Sequence, residues 1–339
     1  MTPAAHASAP VLGFESADSE YEDLLGHWSD LESALSMVLG HPRQVSGFAA
    51  KVQQCDLWLQ NLVTHDTDAA LYLMFQLAAT SMVGYSTAHA LVCGTLCHLL
   101  SRELSLPGTE RDALVRAALT MNIGMTALQD QLALQRTPLS GEQRQVIAQH
   151  SQAGAQLLRE CGVSDPLWLS AVQRHHDIAS DGGNQPLAAR APAERLAWVL
   201  LRIDRYAAMI SPRKSREGRS VTESIRAIVG QDSERRDEVG MALVRATGLC
   251  PPGTMVRLDN GEVAVVLRRS AKVNHPMVAG LLDAQGKELT LTTFYHTALP
   301  QQPRIQSALA QSAVTVELNH RTMVRVGMYA AHLGDMGAR

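Results

Sequence analysis

Residues 171–186 read AVQRHHDIASDGGNQP and place two adjacent histidines, His175 and His176, shortly before a glycine turn. The residues before the pair have apolar side chains at helical spacing, so we expect both histidines at the carboxyl end of a helix. Histidine is the commonest metal ligand, and a bound metal can activate water. Because two histidines alone bind no metal tightly, other ligands must converge on them if this stretch is a metal site.

Composition limits the class of protein. The chain has 339 residues and 46% of them are apolar, which favours a globular protein with a real core over a disordered one. A net charge of −3 gives no basic field for nucleic acid. No apolar run approaches the roughly 20 residues of a membrane span, and the first residues lack the features of a signal peptide. The five cysteines are an odd number, so we expect reduced thiols and a cytoplasmic protein.

Apolar residues recur at three and four positions up to about residue 250, which predicts a mainly α-helical protein. The predicted helices cover 24–39, 48–63, 69–83, 86–106, 110–124, 140–161, 165–177, 193–210 and 236–248. Ser140 and Gln143 have the spacing of a capping box at the start of one of them.

The pattern changes at CPPGTMVRLDNGEVAVVLRRS, residues 250–270. Two β-branched runs flank Asp-Asn-Gly there, which predicts a hairpin with a type I′ turn. A second hairpin is predicted within 277–294. We therefore expect a loose tail over 1–20, an N-terminal helical segment over 21–80, a helical bundle over 81–250, a small antiparallel β unit over 251–300 and a C-terminal tail over 301–339.

Five potential metal ligands lie on predicted helices that each have an apolar side. They are His89, His150, His175, His176 and Asp204. All five could point into one bundle interior, where metal sites are built, but each could equally be a surface or hydrogen-bonded core residue. Cys93 and Cys97 follow His89 on the same helix stripe. A His-Cys-Cys site is one interpretation, and buried thiols that pack the helix are the other.

The order of these motifs resembles the HD-GYP subgroup of the HD-domain metal-dependent phosphohydrolases, over residues of about 80 to 245. The resemblance implies an HD-domain helical bundle, a divalent metal centre and action on cyclic di-GMP. It assigns the metal-ligand positions to His89, His150, His175, His176 and Asp204. Asp181 matches the aspartate of the family's DGxGYP segment, and Arg213 matches the arginine of the closing segment, so both are implied contacts for substrate phosphate.

Residues 119–125, LTMNIGM, depart from the family. Where the family has HDIGK, Met121 and Asn122 replace the histidine and the aspartate, and Met125 replaces the lysine. In the family that aspartate bridges two metals, and the lysine helps to hold substrate phosphate. Two dications about 4 Å apart repel by on the order of 16 kcal/mol at an effective dielectric of about 20. Because Asn122 offers only a neutral oxygen, we expect the two-metal site to be broken, with either one divalent ion (iron, manganese or zinc) on His150, His175 and His176, or none.

Three functions are consistent with this sequence. The favoured one is a signalling protein with a degenerate HD-GYP domain that binds cyclic di-GMP or another signalling protein, with catalysis lost or impaired. The second is a metal-dependent cyclic di-GMP phosphodiesterase with a rearranged site. The third is a metal-free helical interaction module. A homodimer is compatible with each of them, whereas a nucleic-acid partner and a membrane span are not expected.

Overall fold

The computed structural model describes residues 15–80, 84–177, 185–211, 218–229, 237–272, 274–289, 293–310, 313–314, 316 and 318–327. This part of the chain is mainly helical and carries one small antiparallel sheet after the helices, which confirms the expected fold class. The helices are α1 (Glu15–Gly40), α2 (Phe48–His65), α3 (Thr67–Thr80), α4 (Tyr85–Glu103), α5 (Gly108–Thr120), α6 (Thr126–Leu134), α7 (Gly141–Glu160), α8 (Pro166–Arg174), α9 (Pro192–Ile210), α10 (Val221–Val229) and α11 (Glu238–Thr247). The strands are β1 (Met255–Leu258), β2 (Val263–Arg268), β3 (Met277–Leu282), β4 (Phe294–His296) and β5 (Ile305–Ala308).

Helix α4 lies at the centre of the bundle. Every residue from Ser86 to Ser101 is buried, and the helix packs against α3, α5, α9 and α11. A helix that is apolar or small on all sides is stable only when surrounded in this way. Gly94 allows the close approach of α5, because a Cβ at this position would lie 2.8 Å from the Leu119 side chain. The same burial carries His89 into the interior of the bundle.

Helix α5 is shorter than its sequence pattern predicts. We expected it to run to Gly124, but it ends at Thr120, and Ile123–Met125 form a 3₁₀ turn before α6. Gly124 lies directly against α7, where a Cβ would be 2.4 Å from the carbonyl oxygen of His150 and 2.8 Å from the amide of Gly154. The tertiary contact with α7 therefore overrides the helical pattern at this point. Helices α6 and α10 were not predicted from the sequence.

The two ends of the expected domain plan also differ from the structure. Helix α1 begins at Glu15, within the stretch that we expected to be a loose tail. Strand β5 lies beyond residue 300, where we had ended the β unit, and residues 320–327 are helical. The capping box is as predicted: the Gln143 amide donates to Ser140 Oγ, and the Ser140 amide donates to the Gln143 side chain.

The sheet has the strand order β4-β3-β2-β1-β5, and all its neighbours are antiparallel. Along β2, Val265 and Leu267 join the helical core, whereas Ala264 and Val266 belong to a second cluster on the other face. This alternation with a period of two is what a strand with both faces buried requires. The sheet is therefore packed directly onto the helical bundle, in part through α3.

Both predicted hairpins form, but the first has a different turn. Gly261 has a φ of +88°, and its amide donates to the Leu258 carbonyl. Asn260 does not have a positive φ, so the predicted type I′ turn is wrong. A type I turn closed by a left-handed glycine fits these observations, because the four residues between β1 and β2 give the chain room for it. No helix in the described part of the chain is both long enough and apolar enough to cross a membrane.

Candidate metal centre

Three histidines from two helices converge at one end of the bundle. His150 lies within α7, and His175 and His176 follow the last residue of α8. One ring nitrogen from each lies within 4.8 Å of the others, so together they can hold a metal ion. His150 and His175 are buried, whereas His176 is exposed, which leaves the group open to solvent on one side.

Backbone carbonyls fix the orientation of the two buried rings. Nδ1 of His150 lies 2.6 Å from the carbonyl oxygen of Ile147, and Nδ1 of His175 lies 2.7 Å from that of Val172. Because a carbonyl oxygen only accepts, we assign the Nδ1 proton to both rings. Their Nε2 atoms then carry lone pairs and face each other at 3.3 Å.

Two facing lone pairs need an electrophile between them, either a proton or a metal ion. Burial, and to a smaller extent the charge of His176, lower the pKa of His175 to about 4. Burial also lowers the pKa of His150. Both rings are therefore neutral at pH 7, so a shared proton is disfavoured.

The donor set fits a divalent metal. Two nitrogen ligands on a tetrahedral ion, with bonds of about 2.1 Å, lie about 3.4 Å apart, close to the 3.3 Å between the two Nε2 atoms. A ligating histidine usually donates its other N–H to a carbonyl or a carboxylate, as both buried rings do here. Three protein ligands leave an open position for water or a substrate atom.

A second group of potential ligands lies between α4 and α9. Nε2 of His89 is 2.9 Å from Oδ1 of Asp204, and Sγ of Cys93 is 3.6 Å from the same nitrogen. His89 and Cys93 are one turn apart on α4, so they lie on the same face of the helix. The three donor atoms also lie within 4.8 Å of one another.

The two groups interact electrostatically. Burial alone would raise the pKa of Asp204, but the hydrogen bond and charge of His89, with the charges of His175 and His176, hold it well below its usual value. The Asp204 carboxylate in turn raises the pKa values of His150 and His175, against the stronger effect of burial. Asp204 therefore lies near both groups, and the two groups form one candidate site.

The segment that departs from the family borders this site. Gly124 and the Ile123 side chain pack against Gly154, one turn after His150 on α7. Met121 is 1% exposed and belongs to the hydrophobic core, and Asn122 is half-buried. The position that matches the family's histidine thus holds a core side chain, and the position of its bridging carboxylate holds an amide.

The structure brings together all five predicted metal-ligand residues, as two neighbouring groups. Cys97 is buried in the core and belongs to neither group, which agrees with the interpretation of a buried thiol that packs the helix rather than with a His-Cys-Cys site. The grouping of Cys93 with Asp204 was missed, because no local signal joins residues so distant in sequence. The roles of the Ile147 and Val172 carbonyls in orienting the histidine rings were missed for a different reason. Every residue has a backbone carbonyl, so the residue type gives no signal. Asp181 and Arg213 lie outside the described residues.

Comparison with known proteins gives one informative relative. No protein-family model matches the chain, and no solved structure matches it significantly. Among curated proteins, the chain is similar to a cyclic di-GMP phosphodiesterase of Pseudomonas aeruginosa, with 30% identity over 209 residues. The match covers 60% of this chain and 49% of the relative, so the chain spans about half the length of the curated relative that it matches. That relative acts on the nucleotide that the motif resemblance implies.

Proposed function

We propose that the protein is a member of the HD-GYP family that works in cyclic di-GMP signalling, and that it binds the nucleotide at a single ion held by His150, His175 and His176, with hydrolysis lost or impaired. Two observations support the link to cyclic di-GMP. The motifs around His150, His175 and His176 resemble those of the family, and a curated relative is a cyclic di-GMP phosphodiesterase. We further propose a cytoplasmic location, in which the described cysteines stay reduced and form no disulfides.

The proposal rests on a difference between two parts of the site: the three histidines are retained as potential metal ligands, whereas the segment at residues 121–122 is not. His150, His175 and His176 form a ligand set with matched spacing and oriented rings. The facing segment offers Met121 in the core and a neutral amide at Asn122. The three histidines can therefore hold one ion, whereas the carboxylate that would bridge this ion to a second one is missing.

The residues present have distinct tasks in nucleotide binding. A divalent ion held by the three histidines would act as a Lewis acid toward a phosphate oxygen. The exposed His176 leaves this side of the centre accessible to a ligand. Asp181 and Arg213 are proposed contacts for the nucleotide, since they match family positions. Met125, which replaces the family lysine, cannot contribute a positive charge to a phosphate.

A second candidate function is a metal-dependent phosphodiesterase with a rearranged site. The retained pair of His89 and Asp204 favours it, because their side chains face each other at 2.9 Å beside the three histidines. The negative charge of Asp204 also acts on His150 and His175, whose pKa values it raises against the effect of burial. A separate protein partner and a homodimer remain predictions.

Binding and cleavage are measured separately to test the proposal. The full chain is loaded with manganese, titrated with cyclic di-GMP by calorimetry, and then incubated so that linear dinucleotide and GMP can be sought by chromatography. We expect binding without turnover. We expect His176→Ala to reduce both manganese content and nucleotide affinity, while the control His65→Ala, which changes an exposed histidine on α2, leaves both unchanged.

The other outcomes each favour another function. Turnover that is lost in His176→Ala would establish the phosphodiesterase. Absence of both metal and nucleotide binding would leave the metal-free interaction module.

The double substitution Met121→His with Asn122→Asp returns the two missing ligands, so we expect it to raise the manganese content above that of the unchanged chain.

A further inference from the structure

The group formed by His89, Cys93 and Asp204 contains a donor that the motif resemblance does not assign. The resemblance gives metal-ligand positions to His89 and Asp204, but it gives none to Cys93. Sγ of Cys93 nevertheless lies 3.6 Å from Nε2 of His89, in a group whose donor atoms are all within 4.8 Å of one another. Cys93 is fully buried on the central helix α4, so its thiol is held in place by the packing of the bundle.

The separation of the donor atoms suits zinc. Nitrogen and sulfur ligands on a tetrahedral zinc ion, with bonds of about 2.1 and 2.3 Å, lie about 3.6 Å apart, and Nε2 of His89 and Sγ of Cys93 have this separation. Oδ1 of Asp204 is 2.9 Å from the same nitrogen, which is shorter than the corresponding distance of about 3.4 Å. A modest displacement of the partly exposed Asp204 carboxylate would make up this difference.

The direct hydrogen bond between His89 and Asp204 does not satisfy the whole group. When Nε2 of His89 donates to Asp204, it has no lone pair left to accept the Cys93 thiol proton. In the hydrogen-bonded arrangement the Cys93 sulfur can therefore only accept weakly from the same N–H group, whereas a cation would accept electron pairs from all three groups.

Charge gives a further reason for a thiolate at this place. The replacement of the family aspartate by Asn122 removes a negative charge from the site. A thiolate at Cys93, together with the Asp204 carboxylate, would balance the two charges of a divalent ion. The repulsion between this ion and an ion on the three histidines would then be much reduced, although no carboxylate bridges the two ions.

We propose that His89, Cys93 and Asp204 form a zinc site in which Cys93 is the thiolate ligand. On binding, the Cys93 thiol releases its proton to solvent, and its sulfur donates an electron pair to zinc, so the oxidation state of neither atom changes. Zinc is the metal of this site because it accepts nitrogen, sulfur and carboxylate ligands together. The inference holds whether or not the protein cleaves cyclic di-GMP.

Cobalt substitution tests the site through a signal that only a thiolate ligand gives. The metal-free full chain is titrated with Co²⁺, and the near-ultraviolet thiolate-to-cobalt charge-transfer band is recorded. We expect the band in the unchanged chain and its loss in Cys93→Ser. Cys97→Ser is the matched control, because Cys97 is equally buried one turn further along α4 but lies in neither metal-ligand group, so its band should remain.

Zinc content gives an independent measure. We expect Cys93→Ser to lose one zinc per chain, and we expect Asp204→Asn to bind zinc at least about tenfold more weakly. His176→Ala should keep the charge-transfer band, which separates this site from the centre on the three histidines. Absence of the band in the unchanged chain would overturn the proposal whatever the folding of the variants, and so would a band that persists in Cys93→Ser.

Discussion

Gly124 shows how a single residue sets the geometry of the candidate metal centre. Its backbone touches α7 at His150 and Gly154, and a Cβ there would meet the His150 carbonyl oxygen at 2.4 Å. The obstructing atom belongs to the backbone, so no side-chain rotation can relieve the contact. The close approach of this segment to α7 is therefore possible only with glycine at position 124.

Gly124→Ala should lower the free energy of unfolding by about 1–3 kcal/mol, the usual cost of overpacking. It should also weaken manganese binding, because α7 must move and carry His150 away from His175. Urea unfolding and a manganese titration measure the two effects. Gly141→Ala is the control, since Gly141 has no atom within 4 Å of an added Cβ, and alanine in a helix is favoured by up to about 1 kcal/mol. Equal effects of the two substitutions would contradict the close-packing explanation.

The candidate ligand residues could be predicted from the sequence, but their chemical state could not. The positions of His150 and His175 follow from the order of the motifs, which can be read from the sequence without knowledge of tertiary contacts. The protonation of their rings depends on the Ile147 and Val172 carbonyls and on the facing of the two Nε2 atoms. The two carbonyls lie one turn earlier in the same helices, but the facing of the Nε2 atoms is a consequence of how α7 packs on α8. The same holds for Cys93, whose partner Asp204 comes from a helix more than a hundred residues later.

At the scale of the helices, α7 is the element that sequence reasoning described best. Its amino end carries a capping box, and its predicted and observed bounds agree closely. Both signals are local, since the cap lies within one turn and the apolar stripe repeats along one helix. Helix α5 was predicted too long because its end is set by a contact with another element, and the short helix α6 follows from that break.

Ser140→Ala should lower the free energy of unfolding by about 1 kcal/mol, because the Gln143 amide loses its acceptor. Ser140→Asp should keep the stability within a few tenths of a kcal/mol, since aspartate caps a helix about as well as serine. Urea unfolding of the three proteins measures the difference. A loss of equal size in Ser140→Asp would mean that the hydroxyl has a role other than capping.

At the scale of the whole molecule, ion pairs join the sheet to the helices that precede the candidate site. Nη1 of Arg268, at the end of β2, lies 2.7 Å from Oδ2 of Asp66, and Nε of Arg269 lies 2.5 Å from Oδ1 of Asp68. Arg269 also donates to the Ala246 carbonyl, just before the end of α11. A helical segment, the bundle and the sheet thus meet at one polar junction. The sequence patterns predicted the helices and the strands but not this junction, since the residues of its ion pairs are about two hundred positions apart.

Asp66 has two tasks at this junction, and substitution can separate them. Its Oδ1 accepts the amides of Asp68 and Ala69 at the start of α3, and its Oδ2 pairs with Arg268. Asp66→Ser keeps a capping oxygen and removes the charge, whereas Asp66→Ala removes both. We expect Asp66→Ala to lose about 1 kcal/mol more than Asp66→Ser in urea unfolding.

The double-mutant cycle of Asp66→Ser with Arg268→Gln measures the ion pair itself. Both side chains are less than a fifth exposed, so water screens them less than a surface pair. We expect a coupling energy of about 1 kcal/mol, at the upper end of the range for exposed pairs. A coupling of zero would mean that this ion pair contributes nothing to the docking of the sheet, which would then depend on the apolar face, through side chains such as Val265 and Leu267, and on the contacts of Arg269. A measured coupling would instead show that the charges contribute to the docking of the sheet, because the cycle cancels each side chain's separate effects.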